Sequence, residues 1–476
     1  MAADLGHSGA TRVDRLGTGS ISKLLLEFAV PAIIGIVVNG LYNVIDAAFL
    51  GHGVGSIGLA ATTVAFPTMV VFMALSMLIG QGGNALAAIR LGEGRRDEAE
   101  HILGNAFTLL AIMGVIVAAI GLFAIDPLLR LSGATEDVLP YSRTFVRIVC
   151  AGFIFQGVGL GINNFIRTAG EPRWALGTMV IGTFTCILCN YLFVIRWGFG
   201  IAGSAYATVL GQAVSSVAVM GFFCSKKASF RFRMHNLRPD FSLDREILAL
   251  GLAPCALQLA SAIVNIVLNN VLVIYGGTSA IGSEGALAVI GVIGKIAAFA
   301  IFPILGVAMG AQPLLGYNYG ARRFDRVKRT FRTAVIWGTV IVCALFAFIQ
   351  FFPTVVVGLF GIEPELTAFA TQGLHIYTAS FPIVAFQIIG SNYFQATGQP
   401  IKAMFLSLTR QLIFLVPLTY ALPKVLPALI PQVSSLLAIC FAAPCSDLLS
   451  FMFTTAFIVR DFRRLTRIGA QDAFSS

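Results

Sequence analysis

Residues 24–50 read LLLEFAVPAIIGIVVNGLYNVIDAAFL, a run long enough to cross a bilayer as one helix. It carries polar residues where lipid-facing positions would be apolar, namely Asn39, Tyr42, Asn43 and Asp46. Helical spacing places Asn39, Asn43 and Asp46 on one face. A carboxylate in hydrocarbon costs about 2.5 kcal/mol or more, so Asp46 is expected to face a protein interior or an aqueous cavity. Asp46 is therefore a candidate proton or cation site, although a carboxylate that reaches the headgroups fits the same residues.

The composition excludes most soluble classes of protein. The 476 residues are 57% hydrophobic and only 11% charged, whereas about a quarter of the residues of soluble proteins are charged. This predicts a polytopic membrane protein. The net charge of +10 does not indicate nucleic-acid binding, because the basic residues lie in short segments between apolar runs. The eight cysteines lie almost entirely in apolar runs, which predicts packing residues and no metal site.

Twelve apolar runs, separated by charged or Gly/Pro-rich breaks, predict an all-α membrane protein with twelve transmembrane helices. Two of the runs exceed one bilayer crossing and are expected to tilt or to extend beyond it. The runs lie at about 24–50, 56–89, 102–125, 141–166, 174–195, 201–224, 247–275, 280–316, 330–352, 366–396, 401–422 and 431–459.

The basic residues predict the orientation of the chain. Of the 32 Lys and Arg residues, 25 lie on the side of the N-terminal segment, so both termini are predicted to be cytoplasmic and the protein to be a multi-pass protein of the cell (cytoplasmic or inner) membrane. The predicted organisation is a cytoplasmic tail at 1–23, an N-lobe of six helices at 24–225, a cytoplasmic linker at 226–246, a C-lobe of six helices at 247–459 and a cytoplasmic tail at 460–476.

The two halves repeat each other at an offset of 228 residues. RLGEGRRDEA at 90–99 aligns with NYGARRFDRV at 318–327, and NNFIRTAGEP at 163–172 aligns with SNYFQATGQP at 391–400. Two segments that share one offset indicate a duplication, and six spans per half give both copies the same orientation. This predicts two pseudo-symmetric lobes of a transporter, with the substrate handled between them.

Polar residues in the spans define the candidate sites. Amides and hydroxyls recur at helical spacing in the seventh and tenth spans, which fits a polar cavity but equally fits hydrogen-bonded packing between helices. The candidate substrate-cavity residues are Tyr42, Gln258, Ser261, Asn265, Asn269, Tyr377 and Gln387. The candidate proton- or cation-coupling residues are Asp46, Asn43, Asn39, Asn190 and Thr208.

Lys295, in the eighth span, is a second costly ionisable residue. It fits a gating or substrate-repelling charge, and it equally fits a snorkelling side chain or a partner of Glu284. Arg147 and Arg410 are ambiguous in the same way. The chain contains no Walker loop, no HExxH and no nucleophile elbow, so we expect no enzyme, no cofactor and an ion gradient as the energy source.

Five segments carry a resemblance to a known family: LLLEFAVPAIIGIVVNGLYNVIDAAFLG, GQGGNALAAIRLGEGRRDEAEHILGNAF, NNFIRTAGEPRWA, GIAGSAYATVLGQ and GAQPLLGYNYGARRFDRVKR. With them the chain resembles the multidrug and toxic compound extrusion (MATE) transporters, and among these the bacterial MepA-like branch, over roughly residues 20 to 460. The resemblance implies a V-shaped pair of six-helix lobes. It also implies export of small organic, often cationic or amphipathic, compounds in exchange for H⁺ or Na⁺.

The resemblance also implies roles for individual residues. Asp46 matches the acidic position of the first helix in the branches that use one, and Thr208 matches a hydroxyl of the sixth helix proposed for the same site. The fifth helix departs from the family, since Cys186 and Asn190 stand where relatives often have Asn and Asp. The site then has no second carboxylate to hold Na⁺ tightly, so we favour H⁺ over Na⁺ as the coupling ion. A lipid-linked precursor flippase of the same superfamily is the alternative function, and a monomer in the lipid bilayer is the simplest expectation.

Overall fold

A computed structural model describes residues 14–132, 135–225, 227–279, 281–360 and 364–475. Within these ranges the chain is almost entirely helical and has no β-strand. Ten helices are long and apolar enough to cross a membrane, and two bent helix pairs raise the total to twelve when each pair counts as one span. The predicted all-α membrane architecture is therefore confirmed.

We number the spans in chain order. They are α1 (Ile21–Gly53), α2 (Ser56–Gly92), α3 (Arg96–Phe123), α4 (Leu139–Ala151 with Phe153–Thr168), α5 (Pro172–Arg196), α6 (Gly200–Cys224), α7 (Phe241–Gly276), α8 (Gly282–Gly320), α9 (Phe324–Phe351), α10 (Pro364–Thr378 with Phe381–Ala396), α11 (Pro400–Leu429) and α12 (Ser435–Cys440 with Ala442–Ser475). The bends measure 61° in α4 and 49° in α10.

Several helices begin or end away from the predicted limits. α7 starts at Phe241, inside the segment predicted as a linker, because the Asp240 carboxylate caps it by accepting hydrogen bonds from the Ser242 and Leu243 amides. α12 continues to Ser475, through the predicted C-terminal tail. Leu16, which lies in the segment predicted as an N-terminal tail, is buried and only 1% exposed. The division of the chain into these domain ranges stays a prediction.

The hydrophobic core is divided between two lobes. One cluster consists of residues from α7 to α12, joined by Leu25 and Ala29 of α1. Two other clusters consist mainly of residues from the first half, and one of them also contains Ile247 and Leu250 of α7 and Leu314 and Tyr317 of α8. Burial of apolar surface therefore stabilises α1–α6 and α7–α12 as separate bundles, which we call the N-lobe and the C-lobe.

Glycines bring the two lobes together at one end. α2 crosses α7 where a Cβ on Gly82 would meet the Ile247 carbonyl oxygen and a Cβ on Gly251 would meet the backbone of Leu78. α1 crosses α8 in the same manner, with Gly306 against Ile33 and Gly310 against Ala29 and Phe28. Without side chains at these points the helix backbones can approach closely. We call this contact the closed end.

Residues 228 positions apart meet each other at the closed end. The Asn84 side-chain amide donates to Gln312 Oε1 at 3.3 Å. Gly92 lies against Tyr317, and Gly320 lies against Ile89 in the equivalent contact. The offset of 228 residues therefore separates Asn84 from its partner Gln312 and also converts the Gly92–Tyr317 contact into the Gly320–Ile89 contact, as expected when the axis that relates the two lobes passes through this end.

The described glycine contacts between the lobes do not extend to the opposite ends of α7 and α8, where polar side chains occur. Asn265 and Asn269 of α7 and Lys295 of α8 are exposed there. Amides and an ammonium group are costly in lipid, so we expect these side chains to face a water-filled cleft between the lobes rather than the hydrocarbon. We call this side the open end.

The glycine contacts predict a sensitivity to a single methyl group. Gly251→Ala is expected to weaken the closed end by about 1–3 kcal/mol, because the new Cβ would overlap the Leu78 backbone. A penalty of that size shifts the equilibrium between conformations with this contact formed and conformations with it separated by about 5- to 150-fold. Spin labels on cysteines introduced at Asp97 and Asp325 should therefore report longer distances across this end.

Gly221→Ala on α6 is the matched control, since nothing lies within 4 Å of a Cβ placed there. An unchanged distance distribution in Gly251→Ala, equal to that of this control, would contradict the packing argument.

Candidate coupling and substrate sites

Three helices of the N-lobe converge on Asp46. The Asn190 Nδ2 group of α5 donates to Asp46 Oδ1 at 2.8 Å, and the Ser204 hydroxyl of α6 donates to the same oxygen at 3.1 Å. Asn190 and Ser204 are both fully buried. Asn190 lies where α5 changes from α-helix to a π-helical segment, Tyr191–Arg196, a local widening that often occurs at functional sites.

A second layer of polar contacts lies one turn away on the same three helices. The Tyr42 hydroxyl and Thr208 Oγ1 are 3.1 Å apart, and the Cys186 thiol donates to the Tyr42 oxygen at 3.2 Å. Tyr42, predicted for the substrate cavity, thus lies beside Asp46 in the N-lobe. Thr208, predicted as a partner of Asp46, bonds to Tyr42 instead.

Ser204 donates the hydrogen bond to Asp46 that the sequence predicted for Thr208. The two residues are four positions apart and therefore share a helix face, so the periodicity pointed to this face but not to the correct turn. Asn39, the other α1 amide described, is exposed. The side chain of Asn43 lies outside the described part of the structure, so its role in coupling stays a prediction.

The predicted polar stripe of α7 is partly exposed and partly bonded to α11. The Gln411 amide of α11 donates to Ser261 Oγ at 3.1 Å, which joins α7 to α11. Asn265 and Asn269 are exposed and Gln258 is half-buried. We expect these residues to line the side of the cleft that the C-lobe contributes.

The predicted α10 residues lie deeper in the C-lobe. Tyr377 is half-buried, and Gln387 is 4% exposed with no hydrogen-bond partner for its Oε1 atom among the described residues. A buried acceptor without a partner requires an ordered water or a ligand group. Gln387 is thus buried within the C-lobe, whereas the predicted amides Asn265 and Asn269 of α7 are exposed.

A buried ion pair in the C-lobe was not predicted. Arg410 Nε donates to Asp447 Oδ1 at 2.5 Å, and the Ser380 hydroxyl donates to Asp447 Oδ2, also at 2.5 Å. The Asp447 side chain is 2% exposed and that of Arg410 is 21% exposed. Arg410 lies in the π-helical segment Thr409–Leu415, and the Ser446 hydroxyl donates to its backbone oxygen at 2.6 Å. Arg410, ambiguous in the sequence, is thus held by a carboxylate of α12.

Lys295 has a different environment. Its side chain is exposed on α8, and within the described ranges no ion pair joins it to Glu284 or to another carboxylate. It lies on the α8 face that contacts α1 further along, where Phe302 reaches Gly40. Lys295 is therefore an exposed positive charge without a described carboxylate partner, and it stays a candidate charge of the cleft.

Metal binding has no support in the described ranges, where no group of three or more His, Cys, Asp or Glu residues comes together. All eight cysteines are free. Cys186 is used as a hydrogen-bonding group beside Tyr42, a role that goes beyond the predicted one of apolar packing.

Comparison with known proteins gives a consistent result. The chain is 22% identical over 403 residues to the multidrug export protein MepA of Staphylococcus haemolyticus, a match that covers 85% of this chain and 87% of MepA. It is 25% identical over 387 residues to the probable multidrug resistance protein YoeA of Bacillus subtilis, which covers 80% and 82% of the two chains.

A solved structure described as the outward-facing conformation of a multidrug resistance MATE family transporter of the MOP superfamily superposes with a TM-score of 0.87. It is 25% identical, and the match covers 95% of this chain and 98% of that one. The MatE family model matches residues 31–192 and 254–421, which is more than half of the sequence and includes parts of both lobes. The chain belongs to the MATE family of membrane transporters.

Proposed function

We propose that the protein is a multidrug exporter that moves small organic, often cationic or amphipathic, compounds out of the cell in exchange for H⁺. The observation that carries this proposal is Asp46, a carboxylate inside a membrane helix, held by Asn190 and Ser204 without a basic partner among the described residues. The names of MepA and YoeA, multidrug export and multidrug resistance, support the substrate class. Intramembrane carboxylates commonly mark proton or ion pathways.

We favour H⁺ because of the hydrogen-bond chemistry around Asp46. Both of its described neighbours donate to the carboxylate as neutral side chains, and neither adds a second negative charge to the oxygen ligands that a tightly held Na⁺ would require. Cys186, on the next turn, adds a thiol, which is a poor ligand for a hard cation. A single carboxylate that binds and releases one proton needs none of those oxygen ligands.

Orientation and location are part of the proposal. With the basic segments cytoplasmic, both termini lie inside the cell, the protein lies in the cell membrane and the closed end faces the cytoplasm. The open end then faces outward, which agrees with the conformation named for the similar solved structure. We propose that a monomer carries out transport, because each chain contains both lobes.

The proposed cycle uses the two ends alternately. In the outward-facing state Asp46 takes up a proton, which removes the charge that Asn190 and Ser204 hold in place. The rearranged contacts move α1, the N-lobe part of the cavity contracts and the compound leaves outward. In the inward-facing state the glycine contacts separate, the proton leaves to the cytoplasm and a new compound enters. The amides of α7 and the charge of Lys295 select compounds in the cleft.

Proteoliposomes that contain the purified protein and rhodamine 123, a fluorescent organic cation, test this proposal. Export is expected under an imposed pH gradient and not under an imposed Na⁺ gradient, with protein-free liposomes as the control. Export driven by Na⁺ alone would replace the proton by Na⁺ as the coupling ion. Absence of gradient-driven export would favour the lipid-linked precursor flippase.

A further inference from the structure

We propose that a cavity at the closed end binds the phosphate group of an anionic phospholipid. The cavity has a volume of about 460 Å³ and lies between the start of α1 and the first turns of α9. Its lining residues are Thr18, Gly19, Ser20, Ile21, Ser22, Arg326, Arg329, Arg332 and Thr333. The binding does not depend on export, so it can be tested separately from the proposed function.

Three arginines give the cavity its charge. Arg326, Arg329 and Arg332 follow one another at a spacing of three on α9 and therefore lie along one side of that helix. No carboxylate lines the cavity, and none of the ion pairs between described residues involves these arginines. Guanidinium groups bind phosphate oxygens through two parallel hydrogen bonds. The cavity thus offers a cluster of three positive charges, without a described carboxylate partner, that suits a phosphate.

Arg326 is fixed in position by the segment that precedes α1. Its Nε atom donates to Asn318 Oδ1 at 3.1 Å, and its Nη2 atom donates to the Gly19 carbonyl oxygen at 2.8 Å. The bond to Gly19 holds the chain before α1 against α9 and so forms a wall of the cavity, while the bond to Asn318 fixes Arg326 to α8. Arg329 and Arg332 are exposed, and their side chains make no described hydrogen bond, which leaves their guanidinium groups available to a ligand.

Other groups of the cavity are compatible with an anion. The Ser20 side chain does not cap α1, and the first turn of this helix contains no acidic residue. The hydroxyl of Ser22 adds a donor, whereas the hydroxyl of Thr333 donates to the Arg329 carbonyl oxygen at 2.9 Å. The lining combines positive charge with hydroxyl and amide donors, the combination found in headgroup sites between membrane helices.

Apolar surface leads away from the cavity along both helices. On α9, Ile336 and Val340 are 60% and 63% exposed, one and two turns beyond Arg332. On α1, Leu26 and Val30 are also exposed, one and two turns beyond Ser22. Acyl chains can lie on these side chains while the headgroup phosphate occupies the arginine cavity. This continuity favours a lipid over a free phosphate ion.

The test measures lipid binding to the purified protein. Native mass spectrometry with dioleoyl phosphatidylglycerol is expected to show bound lipid, and with dioleoyl phosphatidylcholine to show much less. The double variant Arg329→Gln/Arg332→Gln should raise the apparent dissociation constant for phosphatidylglycerol at least about tenfold, because each basic group near a membrane surface contributes to anionic lipid binding. Both side chains are exposed, so the fold is expected to be retained.

Arg460→Gln/Arg463→Gln on α12 is the matched control. It removes the same charge from exposed positions at the same end of the protein and should leave lipid binding unchanged. Equal binding of the two lipids by the wild type, or equal loss in both double variants, would overturn the proposal. If millimolar inorganic phosphate displaces the lipid completely, the site is one for a free anion and the lipid assignment is wrong.

Discussion

Asp46→Asn is expected to reduce gradient-driven export of rhodamine 123 to the leak of protein-free liposomes. Asparagine has nearly the shape of aspartate and can still accept hydrogen bonds from Asn190 and Ser204, so the contacts between α1, α5 and α6 remain. It cannot bind and release a proton. Without a step in which the proton binds one conformation better than the other, the gradient cannot shift the conformational equilibrium.

The experiment compares export rates of wild type and variant in proteoliposomes at equal protein content, after size-exclusion chromatography has shown that both are folded. Asp137→Asn is the matched control, because Asp137 is an exposed carboxylate outside the transmembrane helices. Unchanged export by Asp46→Asn would show that this carboxylate is structural. Loss of the folded protein instead would assign its contacts to stability, and the coupling residue would have to be sought elsewhere.

Arg410→Leu is expected to destabilise the protein by about 3–5 kcal/mol, because it leaves the Asp447 carboxylate buried without its counter-charge. The Ser380 hydroxyl still donates to that carboxylate but supplies no charge. The loss should appear as a lower free energy of unfolding in detergent and a lower yield of monodisperse protein. No comparable loss is expected for Arg147→Leu, since Arg147 is exposed and its described side-chain hydrogen bond is to the Leu122 carbonyl oxygen.

The double variant Arg410→Leu/Asp447→Leu separates the cost of an orphaned charge from the value of the pair. Replacement of a buried ion pair by apolar residues is often neutral or stabilising, so the double variant should recover most of the stability lost in Arg410→Leu. A double variant that is as unstable as the single one would mean that packing around α11 and α12, rather than the unpaired carboxylate, causes the loss.

Most of the fold could be predicted from the sequence, because long apolar runs have few alternatives to membrane helices. The bends in α4 and α10 were not predicted, although Gly152 stands at the first bend and Pro382 directly follows the second. In the N-lobe the cost of an intramembrane carboxylate identified Asp46, but periodicity cannot choose between Ser204 and Thr208 on one face. Asp447 lies in a similarly apolar run and meets the same criterion that selected Asp46, so the sequence contained the signal for the C-lobe pair.

The glycine contacts of the closed end have the geometry of a homodimer interface within one chain. Asn84 meets Gln312 and Gly92 meets Tyr317, while Gly320 meets Ile89, so each surface binds its own repeat copy, as in an isologous interface. In a homodimer every substitution would appear on both sides. Here one gene encodes both copies, so each half can change alone. Asp46 has accordingly no carboxylate counterpart on α7 between Ile247 and Gly276, and the two lobes hold their buried charges in different places.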